Sequence, residues 1–89
     1  MNTIHIIVSG RVQGVYFRAH TKKQAIKQGI TGFVSNKKDG SVEIVACANQ
    51  QSLDSFVSWC NKGPLLAKVS NVLVNDHSIT ESFTQFEIR

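Results

Sequence analysis

The chain alternates between two patterns of apolar residues, and the order of these patterns is the sequence feature that most constrains its fold. β-branched apolar residues recur at every second position from Ile4 to Val8, which is typical of a β-strand, and Gly10 ends the pattern. The segment from about residue 17 to 28 contains good helix formers, and Gly29 stands where a glycine commonly follows a helix. The first two predicted elements are therefore a strand and a helix.

An Asp39-Gly40 step lies between two segments rich in β-branched residues and predicts a β-hairpin. Glycine adopts positive φ angles without steric cost, as the tight turn of a hairpin requires. The flanking segments, 30–36 and 41–47, are therefore predicted to be the second and third strands.

A second helix is predicted after the hairpin. Four apolar residues have the i, i+3, i+4 and i+7 spacing of one helix face: Leu53, Phe56, Val57 and Cys60. Asn49 can cap the start of this helix, and the Gly63-Pro64 step ends it.

The remaining segments complete the order of elements. Residues 68–74 are predicted to be a fourth strand, 75–82 a polar loop, and 86–88 a short terminal strand. The order β-α-β-β-α-β is that of a ferredoxin-like split βαβ fold, an α+β architecture. We therefore expect an antiparallel sheet with both helices on one face.

Length and composition predict a small folded chain in the cytoplasm. The chain has 89 residues, of which 42% are hydrophobic and 18% charged, and this balance excludes a disordered or collagen-like protein. Its apolar runs are far shorter than the ~20 residues that cross a bilayer, and its start lacks a charged leader segment. We expect one domain over residues 1–89, without a membrane partner.

Neither the cysteines nor the histidines form a recognisable metal-ligand set. Cys47 and Cys60 lie thirteen positions apart with no histidine at ligand spacing, which favours two reduced thiols over a zinc site or a redox pair. His5 and His77 are isolated, and His20 is expected to be solvent-exposed. We therefore expect no metal and no cofactor.

The charged residues are unevenly distributed along the chain. The first forty residues hold seven basic side chains and one acidic side chain, whereas the rest hold three basic and five acidic ones. The net charge of +4 therefore arises entirely from the first half. This asymmetry favours an anionic partner near that half, either a small phosphorylated molecule or a nucleic acid.

The segment Gly10–Arg18 links the first strand to the first helix and is a candidate anion site. The free N–H groups of a helix N-terminus follow the loop directly. Arg18 opposes the helix dipole by a few tenths of a kcal/mol unless an anion binds there, and its guanidinium suits phosphoryl oxygens. The alternatives are a solvated surface Arg18 and an ordinary turn glycine at Gly14. The spacing matches neither a Walker A loop nor G-x-G-x-x-G, which disfavours nucleotide binding.

Two segments resemble the signatures of the acylphosphatase family. The first signature is matched at every fixed position by Val8-x-Gly10-x-Val12-Gln13-Gly14-Val15-x-Phe17-Arg18. The second is resembled by Gly32-Phe33-Val34-x-Asn36-x-x-x-Gly40-x-Val42. The likeness continues to the terminal Phe86-x-Ile88-Arg89 and thus covers nearly the whole chain.

The resemblance implies an enzyme that hydrolyses acyl phosphates to a carboxylate and inorganic phosphate, without a metal, on a ferredoxin-like fold. It implies that Arg18 holds the phosphoryl group together with the main-chain amides of the loop residues Gln13, Gly14, Val15, Tyr16 and Phe17. It also implies that Asn36 orients the attacking water. Without the resemblance, the favoured interpretation of Asn36 is a strand-end residue that hydrogen-bonds the Lys37–Gly40 hairpin.

The sequence departs from the second signature at Ser35 and at Ala48, where the family usually has a longer side chain and a glycine. Ser35 should point away from the face that carries Asn36, and Ala48 bears on the loop before the second helix. Tyr16 fills a variable position of the first signature, where its ring would shape the mouth of the loop.

The main alternative is a non-catalytic ferredoxin-like module that binds an anion or RNA. An RNA-recognition sheet needs aromatic side chains on its central strands, and the first and third strands have none. A third possibility is a phosphate- or carbamoyl-binding domain that serves a larger assembly. Of these three interpretations, we expect the chain to be the enzyme. We expect it to be a monomer that takes an acyl phosphate as substrate, releases inorganic phosphate and has no nucleic-acid partner.

Overall fold

The computed structural model describes residues 2–76 and 82–89, which form two helices and one five-stranded sheet. The elements in chain order are β1 (Asn2–Arg11), α1 (Phe17–Lys27), β2 (Thr31–Asn36), β3 (Val42–Ala48), α2 (Gln50–Lys62), β4 (Lys68–Asp76) and β5 (Phe86–Ile88). The predicted order of strands and helices is confirmed.

The strands are ordered β4-β1-β3-β2-β5 across the sheet. The predicted antiparallel pairing holds for β4–β1, β1–β3 and β3–β2. The prediction of a wholly antiparallel sheet is wrong at β5, which pairs parallel to β2 and makes the sheet mixed. β4 is antiparallel to β1. β5 follows β4 and returns across the sheet, so it runs in the same direction as β1 and β2. At the β2 edge, such a strand must be parallel to its neighbour.

One face of the sheet forms the core with both helices. The alternation from Ile4 to Val8 places every second side chain of β1 in this core. α2 contributes Leu53, Phe56 and Cys60. α1 contributes Phe17, Thr21 and Ala25. Thr21 is fully buried, and its hydroxyl is satisfied because it donates to the carbonyl oxygen of Phe17 at 2.7 Å.

The ends of the helices follow the predicted signals. Asn49 caps α2 by accepting a hydrogen bond from the Ser52 N–H at 2.8 Å, and Gly63 follows its last turn. Gly29 lies just beyond α1 with φ 70°. None of the described helices is both long and apolar enough to cross a membrane.

The fourth strand is longer than predicted. It extends to Asp76, because Asn75 pairs with His5 and Asp76 pairs with Ile4 along β1. The predicted loop over 75–82 is therefore wrong at its first two positions, since an edge strand accepts polar side chains that face solvent. Residues 77–81, including His77, lie outside the described part of the chain.

Candidate active site

The connection between β1 and α1 is a tight loop with two left-handed residues. Gly14 has φ 75°, and Tyr16 has φ 61° and ψ 23°. Both residues directly precede the first turn of α1, which begins at Phe17. The loop amides therefore lie next to this turn along the chain.

The N-terminus of α1 has the electrostatic character of an anion site. Its cap residue, Tyr16, makes no side-chain capping hydrogen bond, and the first turn contains no acidic residue. The first N–H groups of a helix have no acceptor within the helix, and they carry the positive end of its dipole. Arg18 adds a full positive charge to this end. The arrangement favours an anion with several oxygen acceptors.

A pocket of ≈ 410 Å³ opens at this end of the molecule and brings the two predicted catalytic residues together. Its lining consists of Val12, Gly14, Tyr16, Phe17, Arg18, Ala19, Asn36 and Ile88. Asn36 reaches the pocket as the last residue of β2, on the same strand face as the buried Val34. Ser35 lies on the opposite face, as its position in the alternation predicts.

Two of the predicted loop residues, Gln13 and Val15, do not line this pocket. Val15 is half-buried and packs against the core. The side-chain amide of Gln13 donates to the carbonyl oxygen of Lys37 at 2.8 Å and to that of Ser41 at 2.9 Å. Gln13 therefore ties the loop to the β2–β3 hairpin that carries Asn36. Sequence reasoning missed this role, because nothing local indicates which carbonyls lie within its reach.

The hairpin that follows Asn36 is held by its own hydrogen bonds. The Lys37 N–H donates to the Ser41 carbonyl oxygen at 2.9 Å, and the Ser41 N–H donates to the Asp39 carboxylate at 2.9 Å. The Ser41 hydroxyl also donates to this carboxylate. These bonds from Ser41 favour the charged form and lower the pKa of Asp39 below its ordinary value. Asn36 is thus attached to a fixed turn.

Arg18 is held by the residue that follows β5. Its Nη1 donates to the main-chain oxygen of Arg89 at 3.4 Å, a long hydrogen bond that leaves the other donors of the guanidinium available. Arg89 in turn lies over the ring of Phe33, with its guanidinium carbon 4.3 Å from the ring centroid. The parallel β2–β5 pairing also brings Ile88 to the pocket, which strand periodicity alone does not predict.

Apart from Tyr16 and Arg18, the titratable side chains in the described part of the chain lie outside the pocket lining. His5 Nε2 is 2.7 Å from Glu43 Oε2, and His20 is exposed as expected. Burial raises the pKa of the Cys60 thiol to about 12, and Cys47 is half-buried; both cysteines are free thiols. Within residues 2–76 and 82–89, no three or more His, Cys, Asp or Glu side chains are grouped so that they could hold a metal ion.

The family model for acylphosphatases matches residues 4–88. The chain belongs to the acylphosphatase family. An acylphosphatase of Methylococcus capsulatus is 42% identical over 88 residues, which are 99% of this chain and 96% of the relative. One from Pelotomaculum thermopropionicum is 45% identical over 84 residues, covering 94% of this chain and 91% of the relative.

Solved acylphosphatases have the same fold. The crystal structure of the Bacillus subtilis acylphosphatase superposes with a TM-score of 0.95 at 38% identity and covers 100% of this chain and 99% of that one. The resemblance of the two signature segments is therefore confirmed, and so is the α+β ferredoxin-like fold. Hydrolysis of acyl phosphates is the function of the acylphosphatase family, and this chain is an acylphosphatase hydrolase by that membership.

Proposed function

We propose that the ≈ 410 Å³ pocket is the active site, in which Arg18 and the loop amides of residues 13–17 hold the phosphoryl group and Asn36 orients the attacking water. The observation that carries this proposal is the meeting of three features in one pocket. These are the uncapped start of α1, the guanidinium of Arg18 and the end of β2 at Asn36.

The phosphoryl end of the pocket matches the demands of phosphoryl transfer. The transition state is loose and spreads negative charge over three equatorial oxygens, so positioning and charge stabilisation supply most of the catalysis. Main-chain N–H groups at a helix start are fixed donors that need no reorganisation during the reaction. Arg18 adds a planar pair of donors, and its bond to Arg89 favours the orientation toward the pocket.

Asn36 serves as a ligand of the water rather than as a base. A side-chain amide has no usable pKa near neutrality, so it cannot accept the proton of the water. Among residues 2–76 and 82–89, those that line the pocket include no Asp, Glu or His. We therefore assign the proton to an oxygen of the transferred phosphoryl group. The water oxygen bonds to phosphorus, the bond to the acyl oxygen breaks, and the acyl group leaves as a carboxylate.

The reaction needs neither a metal nor a cofactor under this proposal, because a carboxylate is a good leaving group. The substrate is an acyl phosphate, and inorganic phosphate is the product. The test is release of phosphate from acetyl phosphate with EDTA present, beside a phosphate ester as the control substrate. Unchanged turnover of acetyl phosphate and no turnover of the ester are expected. Loss of activity in EDTA that a divalent ion restores would overturn the metal-free mechanism.

We further propose that residues 1–89 act as one domain, as a monomer in the cytoplasm, without a nucleic-acid or membrane partner. Support for the cytoplasm comes from two free cysteines, which suit a reducing compartment. The central strands β1 and β3 present no aromatic side chain on which an RNA base could stack. Light scattering at micromolar concentration and a filter-binding assay with single-stranded RNA test these two partner assignments.

A further inference from the structure

The active-site pocket is larger than a phosphoryl group requires. Its ≈ 410 Å³ lies within the range of about 300–1,000 Å³ that is typical of sites for whole small molecules. Three of the lining residues, Gly14, Arg18 and Asn36, suit a phosphoryl group. The other lining residues are apolar or aromatic: Val12, Tyr16, Phe17, Ala19 and Ile88. An acyl group attached to a phosphoryl group in this pocket would meet side chains of this second set.

Among the described apolar residues of the lining, two large side chains are exposed enough to contact a ligand. Val12 and Phe17 are each 1% exposed and belong to the core, so they form the floor. Tyr16, in contrast, is 74% exposed, and Ile88 is 43% exposed. Neither side chain gains much packing within the described part of the protein. Burial of their apolar surface would favour a ligand that covers them.

The backbone conformation of Tyr16 adds a second observation. Among the described residues it is the only one other than glycine with a positive φ angle. A left-handed conformation is sterically unfavourable for tyrosine, and glycine or asparagine would adopt it at lower cost. The tyrosine ring does not recover this cost by burial, since it remains largely exposed. A ring that is held at the pocket in this way is suited to contact the substrate.

The lining also restricts the charge of the acyl group. Arg18 is the one cationic side chain among the described residues of the lining, and the proposed function assigns it to the phosphoryl group. A second carboxylate on the acyl group would therefore find no further cation among these residues to pair with. We infer that the preferred substrates carry an uncharged apolar acyl group, aromatic or branched, that packs against Tyr16 and Ile88. This inference rests on the proposed function and names the substrate class of the same site.

The test compares kcat/KM for benzoyl phosphate with kcat/KM for acetyl phosphate, which has the same reacting group but a minimal acyl chain. In Tyr16→Ala the ratio of benzoyl to acetyl should fall about tenfold, because an aromatic contact and its buried area are lost. Tyr16→Asn, which tolerates the left-handed backbone, should show the same fall if the ring is the cause. Tyr16→Phe should retain the ratio, and Ile88→Ala should lower it about threefold.

Leu65→Ala is the matched control, since Leu65 is 97% exposed and does not line the pocket. It should leave the ratio unchanged. In the unmodified enzyme, 4-carboxybenzoyl phosphate should have a lower kcat/KM than benzoyl phosphate. An equal fall for both acyl phosphates in the Tyr16 variants would show that Tyr16 acts only through the loop, and it would overturn the inference.

A preference for the carboxylated substrate would also overturn the inference, while leaving the proposed function intact. The proposed function fails on a different result, which is absence of phosphate release from acetyl and benzoyl phosphate alike in the unmodified enzyme. The inference would then fail with it.

Discussion

Gln13→Ala should weaken both the fold and the catalytic step, because the Gln13 side chain joins the loop to the hairpin that carries Asn36. The substitution removes two hydrogen bonds, to the carbonyl oxygens of Lys37 and Ser41, and leaves the main-chain amide of residue 13 in place. A neutral hydrogen bond contributes about 0.5–1.5 kcal/mol net. One of these two bonds is exposed, so we expect the free energy of unfolding to fall by about 1–2 kcal/mol.

The expected kinetic effect of Gln13→Ala lies in kcat. Asn36 should move relative to the phosphoryl group when the tie to the hairpin is lost, and a small misplacement of this kind should lower kcat about tenfold. Phosphate affinity should fall less, because Arg18 and the loop amides remain. Urea unfolding, initial rates with acetyl phosphate and the inhibition constant of phosphate measure the three quantities.

Gln50→Ala is the matched control for this prediction. Gln50 also takes part in two side-chain hydrogen bonds, with Asn2 and Asp54, but it does not line the active-site pocket. Its replacement should leave kcat unchanged and lower the free energy of unfolding by less than about 1 kcal/mol, because both bonds are exposed. A kcat for Gln13→Ala as high as that of Gln50→Ala would refute the positioning role of Gln13.

Three further predictions concern stability and reactivity. Gly32→Ala should lower the free energy of unfolding by more than about 2 kcal/mol, whereas Gly29→Ala should lower it by about 1 kcal/mol. At Gly32 an added Cβ atom would overlap the carbonyl oxygen of Val45, whereas at Gly29 it would meet no atom within 4 Å. Urea unfolding of the two variants measures the difference. Cys60 should resist iodoacetamide at pH 8 until urea is added, because burial raises its pKa to about 12; mass spectrometry checks this. The pKa of Asp39 is lower in the folded state than its ordinary value of 3.8, so its charged carboxylate stabilises the fold above that pH. This contribution is lost as the pH falls through the lower folded value. Urea unfolding at neutral and strongly acidic pH should therefore show a smaller loss of stability for Asp39→Asn than for the unmodified protein.

The order of elements was predictable because each element has its own period of apolar residues and its own end signal. The spacing from Leu53 to Cys60 and the cap at Asn49 identify α2, and the Asp39-Gly40 step identifies the hairpin. The sequence also predicts an anion site at the first loop, since a glycine-containing turn leads directly into a helix with Arg18 in its first turn, and this assignment stays a prediction.

The partner of β5 was not predictable in the same way. A strand of three residues has too short a pattern to specify which neighbour it joins or in which direction. Its partner β2 lies far away in the sequence, and the pairing with β2 brings Ile88 into the pocket. The extension of β4 to Asp76 was missed for a related reason, because Asn75 and Asp76 are polar residues on an edge strand.

The side-chain role of Gln13 and the left-handed backbone of Tyr16 were likewise beyond local sequence signals. Gln13 reaches carbonyls that lie 24 and 28 positions away in the chain. Tyrosine is a residue type that rarely adopts a positive φ angle, so its propensity argues against the conformation that the loop imposes. Both features depend on how the loop packs in three dimensions.

The most direct test of the proposed mechanism is titration of Arg18→Ala and Asn36→Ala with inorganic phosphate by calorimetry, beside initial rates for acetyl phosphate. Both variants should lose at least ~10²-fold in rate, about 2.7 kcal/mol, as when one preorganised donor is removed from a charge-stabilising site. Arg18→Ala should also lose phosphate binding, whereas Asn36→Ala should retain it, because its partner is the water. Loss of phosphate affinity in Asn36→Ala as complete as in Arg18→Ala, or a rate above about a tenth of the original in either variant, would contradict the assigned roles.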